Sequence, residues 1–128
     1  MTSDPQSTSL YQRVGREPFF VELVEKFYEG VVEDLVMRPL YPEDLEPGKA
    51  HLAGFLSQYW GGPPTYSMER GHPALRMRHR PFAIGQVERD AWVHHMTNAV
   101  AAVECSPQDK ALMIAYFDDA ATFLMNRG

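Results

Sequence analysis

The sequence has a single cysteine, Cys105, so it can form neither an internal disulfide nor a cysteine-based zinc site. That scarcity fits a reducing compartment such as the cytoplasm. No apolar run approaches the roughly 20 residues needed to span a bilayer. Met1 to Ser9 are polar and lack the apolar stretch of a secretory signal. Residues 1–9 are read as a loose tail and 10–128 as one domain. Basic residues are outnumbered, 12 Lys and Arg against 17 Asp and Glu, for a net charge of −5. This argues against nucleic acid as a main partner. No period-2 strand pattern, internal repeat, low-complexity tract or dividing linker occurs. No Ser-His-Asp arrangement, phosphate loop or dinucleotide fingerprint occurs either.

What is present is helical. Hydrophobic residues are 45% of 128, enough for a real core in a domain of this size. Aromatics at 12% and seven methionines suit a core that grips a large flat ligand, and equally an ordinary one. A first long helix is predicted from Pro18 to Val36. Its stripe is Phe20, Leu23, Val24, Phe27, Tyr28 and Val31 at i, i+3, i+4 spacing. Pro39 and Pro42 end it and leave a corner at Leu40-Tyr41. A second helix is predicted from Pro47 to before Gly61-Gly62, where Gly-Gly-Pro-Pro is a strong stop. From Thr65 to Gly85 the pattern is irregular, with one short helical turn predicted at Ala74–His79. A poorly structured loop of that length in a small domain is usually functional. A third long helix is expected from Gln86 to Glu104. A fourth starts at Ser106-Pro107, with Ser106 as N-cap and Asp109 in the first turn.

The irregular segment holds the densest chemistry. Arg76-Met77-Arg78-His79-Arg80 places three guanidinium groups around one imidazole. Neutral imidazole is a common ligand of metals, haem iron included, and arginine pairs well with carboxylates such as haem propionates. The same string also suits a phosphate-binding loop or a solvated basic loop. His94 and His95 are adjacent on a helix and point roughly 100° apart, so they do not share a metal. The spacing of His51, His72 and His79 matches no zinc signature. Tyr28, Tyr41 and Trp92 lie on or beside apolar stripes of three separate segments. Each buried O–H or N–H needs a partner, either a backbone carbonyl or a shared ligand.

At these residues the chain resembles the second group of truncated haemoglobins over roughly Leu10 to Asn126. Several strings carry the likeness in order. They are Phe27-Tyr28; Tyr41-Pro42-Glu43-Asp44-Leu45; Phe55-Leu56-Ser57-Gln58-Tyr59-Trp60-Gly61-Gly62-Pro63; Thr65-Tyr66-Ser67; Gly71-His72-Pro73; Leu75-Arg76-Met77-Arg78-His79; Pro81-Phe82; and Glu88-Arg89-Asp90-Ala91-Trp92. The resemblance implies an all-α, globin-like two-over-two sandwich around one haem b, with His79 as the iron's proximal ligand. It places Arg76, Arg78 and Tyr66 where the family meets the propionates or braces the loop. Leu52, Phe82 and His51 fall among the haem-binding positions, His51 toward the haem edge. Tyr28, Tyr41 and Trp92 face the bound gas on the distal side, beside Leu52. Gly48 falls where full-length globins place a distal histidine, so it can donate no side-chain hydrogen bond.

The implied function is binding of O2 and other diatomic gases such as NO and CO. A hydrogen bond to a charged group contributes about 1.5–3 kcal/mol, so two would slow O2 release by roughly 10²–10⁴. Slow release sits awkwardly with simple oxygen transport. Oxidation of NO or reduction of peroxide at the same haem is the alternative, with electrons from an external reductase. A haem-free helical module whose basic loop binds an acidic partner is a reading of a different class. Monomer and homodimer are both compatible with the sequence.

Overall fold

A computed structural model describes residues 8–126; the expected tail therefore lies, for residues 1–7, outside the described residues. Seven α-helices follow in order: α1 (Leu10–Val14), α2 (Glu17–Glu33), α3 (Glu46–Tyr59), α4 (Thr65–Arg70), α5 (Leu75–His79), α6 (Gln86–Ala102) and α7 (Pro107–Phe123). A 3₁₀ turn at Arg38–Leu40 lies between α2 and α3. No strand forms among the described residues. None of these helices is long and apolar enough to cross a membrane.

Helix α1 was not foreseen. Ser9, assigned to the tail, is its N-cap, and its Oγ accepts from the Gln12 N–H at 3.2 Å. Arg13 then ties α1 to α7 through a 2.8 Å ion pair with the buried Asp109. Five residues are too few to hold a helix alone, so the cap and this long-range pair hold it.

Helix α2 begins with Pro18 in its first turn and buries Phe19, Phe20, Leu23, Val24, Phe27, Tyr28 and Val31. It stops at Glu33, three residues before the predicted end at Val36. The Asp34 carboxylate accepts the N–H groups of Val36 at 2.7 Å and Met37 at 3.2 Å, offering the backbone an alternative to the helical ladder. The same carboxylate lies 2.5 Å from His95 Nε2 on α6.

The other long helices follow the sequence closely. Helix α3 has Pro47 in its first turn, and Gly61 takes a left-handed φ of 106° just past its end. Helix α6 starts where Glu88 Oε1 accepts the Gly85 N–H at 2.8 Å. It ends at Ala102, two residues short of expectation. Helix α7 is capped as predicted, Ser106 Oγ accepting the Asp109 N–H at 3.1 Å.

Helix α2 packs against both α3 and α6, and α6 packs against α7. The α2–α6 crossing is close: a Cβ at Gly30 would lie 2.4 Å from His95 Nδ1. Phe20, Leu23, Phe27, Leu56, Met96 and Met113 form the fully buried centre. Two helix pairs, α2 with α3 and α6 with α7, give the all-α, globin-like two-over-two sandwich that the resemblance implied. The short helices α4 and α5 follow α3 in the chain, and α4 packs against α3.

Candidate functional site

The segment from Thr65 to Gly85 is more ordered than its sequence suggests. The Gln58 side chain grips the start of α4, donating from Nε2 to Ser67 Oγ at 2.7 Å and accepting the Ser67 N–H at 2.9 Å. Tyr66 is thereby buried, its ring 5.6 Å from Phe55 and edge-on to it. The guanidinium groups of Arg70 and Arg78 each stand 6.0 Å from the Tyr66 ring centre, at cation–π range. Arg78 also donates to three backbone carbonyls, those of Pro73 at 2.6 Å, Arg70 at 2.8 Å and His72 at 3.3 Å. It closes the link between α4 and α5, where Ala74 takes a left-handed φ of 44°.

This scaffold sets His79 at the end of α5. Its Nδ1 is 2.7 Å from the Leu75 carbonyl oxygen. A carbonyl only accepts, so Nδ1 carries the proton, and in the neutral ring Nε2 keeps its lone pair. That pattern fixes the tautomer and orients a ligating imidazole.

His79 lines a cavity of about 330 Å³. Tyr28 from α2, Tyr41 from the corner, Leu52 from α3 and Trp92 from α6 line the same cavity, as do His51, Tyr66, Arg78 and Phe82. The three polar aromatics of separate segments therefore do converge. The Tyr28 and Tyr41 rings meet edge to face at 5.5 Å, and Trp92 packs 5.5 Å from Phe27 and 5.6 Å from Phe117. Burial pushes the Tyr28 phenol above its ordinary range, with Lys49 opposing. Burial raises Tyr41 further, Tyr28 adds to the rise, and the Trp92 indole N–H beside it opposes. Both phenols thus keep their protons at neutral pH and remain donors. Gly48 lies against this group: a Cβ there would stand 3.0 Å from the Tyr28 hydroxyl.

His51 lies at the margin, exposed, with Nε2 3.1 Å from Arg70 Nη1. Guanidinium only donates, so His51 accepts and is neutral. Partial desolvation by its neighbours chiefly, then the Arg70 charge, lowers its pKa. Arg76 stands outside the cavity lining, exposed, with its guanidinium 5.0 Å from the Phe123 ring centre.

Arg70, which meets His51 at the cavity margin, and Tyr116 in the cavity lining are among the residues that sequence reasoning misses. Arg70 was hidden in a segment read as irregular. Tyr116 was read as ordinary stripe, yet it lines the cavity, stacks 4.2 Å from Tyr59 and is pushed up to about 12, mainly by burial.

No cluster of three or more His, Cys, Asp or Glu able to hold a metal exists among the described residues. The donor set instead suits a metal that brings its own equatorial ligands. One oriented imidazole enters a cavity walled mainly by Leu, Phe and other apolar side chains. The cavity is within the size range of small-molecule and cofactor sites.

Comparison with known proteins agrees. The family model for bacterial-like globins matches residues 9–126. The chain is 35% identical over 117 residues to a group 2 truncated hemoglobin, YjbI, of Bacillus subtilis (strain 168), covering 91% of this chain and 88% of that one. A crystal structure of a hemoglobin from the thermophilic phototroph Chloroflexus aurantiacus superposes with a TM-score of 0.92 at 48% identity, covering 94% of this chain and all of the other. A truncated oxygen-avid haemoglobin from Bacillus subtilis gives 0.88 at 34% identity, covering 93% and 100%. Haem-based gas binding characterises these relatives' family. By model match, sequence identity and fold alike, the chain belongs to the bacterial-like globin family, among the group 2 truncated haemoglobins.

Proposed function

We propose that the chain binds haem b through His79 Nε2 and holds O2 with slow release by hydrogen bonds from Tyr28, Tyr41 and Trp92. The observation that carries the proposal is the shared cavity: one tautomer-fixed imidazole and three polar aromatic donors line it together. Ferrous haem iron, when bound, supplies reversible binding of O2, NO or CO. The protein's part is orientation and electrostatics. His79 is held by the Leu75 carbonyl so that its lone pair points away from its own helix. Leu52 and Phe55 in the cavity wall would shield a bound macrocycle from water, and Phe82 would meet it at the exposed rim. The hydroxyls and the indole N–H are donors for a ligand that carries partial negative charge, and donors to charge are the stronger kind. Gly48 leaves room for the Tyr28 hydroxyl, which takes the role that a distal histidine would otherwise have.

At the edge, Arg78 is committed to the loop carbonyls and acts as a brace. Arg76, exposed beside Phe123, would reach a propionate from outside the cavity lining, while His51 and Tyr66 line the cavity itself. Oxygen avidity, stated for the Bacillus subtilis relative, agrees with this donor set. Turnover in NO oxidation or peroxide reduction would use the same site and an external reductase.

Stopped-flow displacement of O2 tests the reading. Slow release in the native chain, accelerated in Tyr28→Phe and Trp92→Phe, is the expected result. Fast release that neither substitution changes would refute it.

A further inference from the structure

His79 sits at the end of a five-residue helix, and a helix that short does not hold its own shape. Its position must come from outside. One external tie comes from just past the end of α7. The Asn126 side chain donates from Nδ2 to the Phe82 carbonyl at 2.7 Å and to the His79 carbonyl at 3.4 Å. Its Oδ1 accepts the Ile84 N–H at 2.8 Å, and its own backbone N–H donates to the Ile84 carbonyl at 2.9 Å. The donor and acceptor ends of one amide are thus matched to the loop that follows His79; a carboxylate offers no donor and a hydroxyl only one. On the other side of His79, Arg76 covers Phe123 from the last turn of α7 at 5.0 Å. Leu124, between Phe123 and Asn126, lines the cavity itself.

We infer that Asn126 is a positioning residue for His79: it fixes where the imidazole stands along the cavity by gripping the His79–Ile84 loop onto the end of α7. The inference rests on His79 as iron ligand, and its test separates the two. Asn126→Ala removes both ends of the amide. Asn126→Asp keeps the acceptor for Ile84 but sets a carboxylate oxygen against the carbonyls of His79 and Phe82. Asp109→Asn, which weakens the α1–α7 pair and leaves the loop untouched, controls for general destabilisation.

Two readouts are taken on the full chain: the iron–histidine vibration of the ferrous protein by resonance Raman, and hydrogen exchange of the Phe82 amide. That amide bonds to the His79 carbonyl at 3.0 Å, not to Asn126, so it reports loop geometry. Both Asn126 variants are expected to shift the vibration and to speed Phe82 exchange about tenfold, roughly the effect of one net hydrogen bond, with Asp109→Asn changing neither. An unmoved vibration and unmoved exchange in both variants would overturn the inference, as would equal changes in Asp109→Asn. If the native chain shows no iron–histidine band, the haem reading fails on its own. Phe82 exchange then decides the clamp, and unchanged exchange in Asn126→Ala overturns it.

Discussion

Replacing Trp92 with phenylalanine isolates the indole N–H. The smaller ring keeps aromatic contact with Phe27 and Phe117, whose centres lie 5.5 and 5.6 Å from the indole, so the fold is retained. What disappears is one of the donors proposed to face a ligand that carries partial charge. Such a bond contributes about 1.5–3 kcal/mol, which corresponds to about 10–100-fold in O2 dissociation. Stopped-flow mixing of the oxygenated protein with excess CO measures that rate directly. Tyr41→Phe in the same background should give less than the product of the two single effects, because Tyr41 and Trp92 are neighbours and neighbouring sites do not add. An O2 dissociation rate within twofold of the native value in Trp92→Phe, with an intact fold, would refute the donor assignment.

Gly48→Ala should act on the same ligand through Tyr28. The new methyl stands 3.0 Å from the hydroxyl, so the phenol must shift by a few tenths of an ångström. The C–O stretching frequency of the CO complex should move, and O2 release should change by less than in Tyr28→Phe. Arg78→Ala should loosen the α4–α5 link by removing donors to three carbonyls; haem transfer to an apo-globin acceptor should quicken several-fold, while Arg76→Ala leaves the backbone link intact. Stability should depend on Asp34. The His95 hydrogen bond first, then the Val36 N–H, holds its carboxyl below the usual range. Its contribution is present above the unfolded carboxyl pKa of about 4 and is lost as pH falls through the lower folded value. Urea unfolding from pH 6 to pH 3 should show this loss, and Asp34→Asn should flatten it.

Much of this was legible in the sequence because it rests on local rules. Pro18, Pro47 and Ser106-Pro107 mark helix starts, and Gly61-Gly62 marks a stop, whatever the rest of the chain does. Features set by distant partners were not legible. Helix α4 depends on Gln58 holding Ser67, and six residues carry no measurable period. Helix α2 ends early because Asp34 bonds forward to the backbone and across to His95. Tyr28, Tyr41 and Trp92 were suggestive one at a time. Their convergence needed the α2–α3 and α2–α6 packing, which no spacing encodes. Arg70 meets His51, and Asn126 grips the loop after His79, across long stretches of chain, so their type alone carried no signal.

His79 is proposed to give the iron its protein ligand. Absorption spectra of the ferrous protein, native and His79→Gly, with and without added imidazole, test it most directly. Stoichiometric haem with a histidine-ligated spectrum is expected in the native chain, with its loss in His79→Gly and its return with imidazole. A native chain that stays colourless after haem addition would contradict it, as would a His79→Gly spectrum identical to the native one.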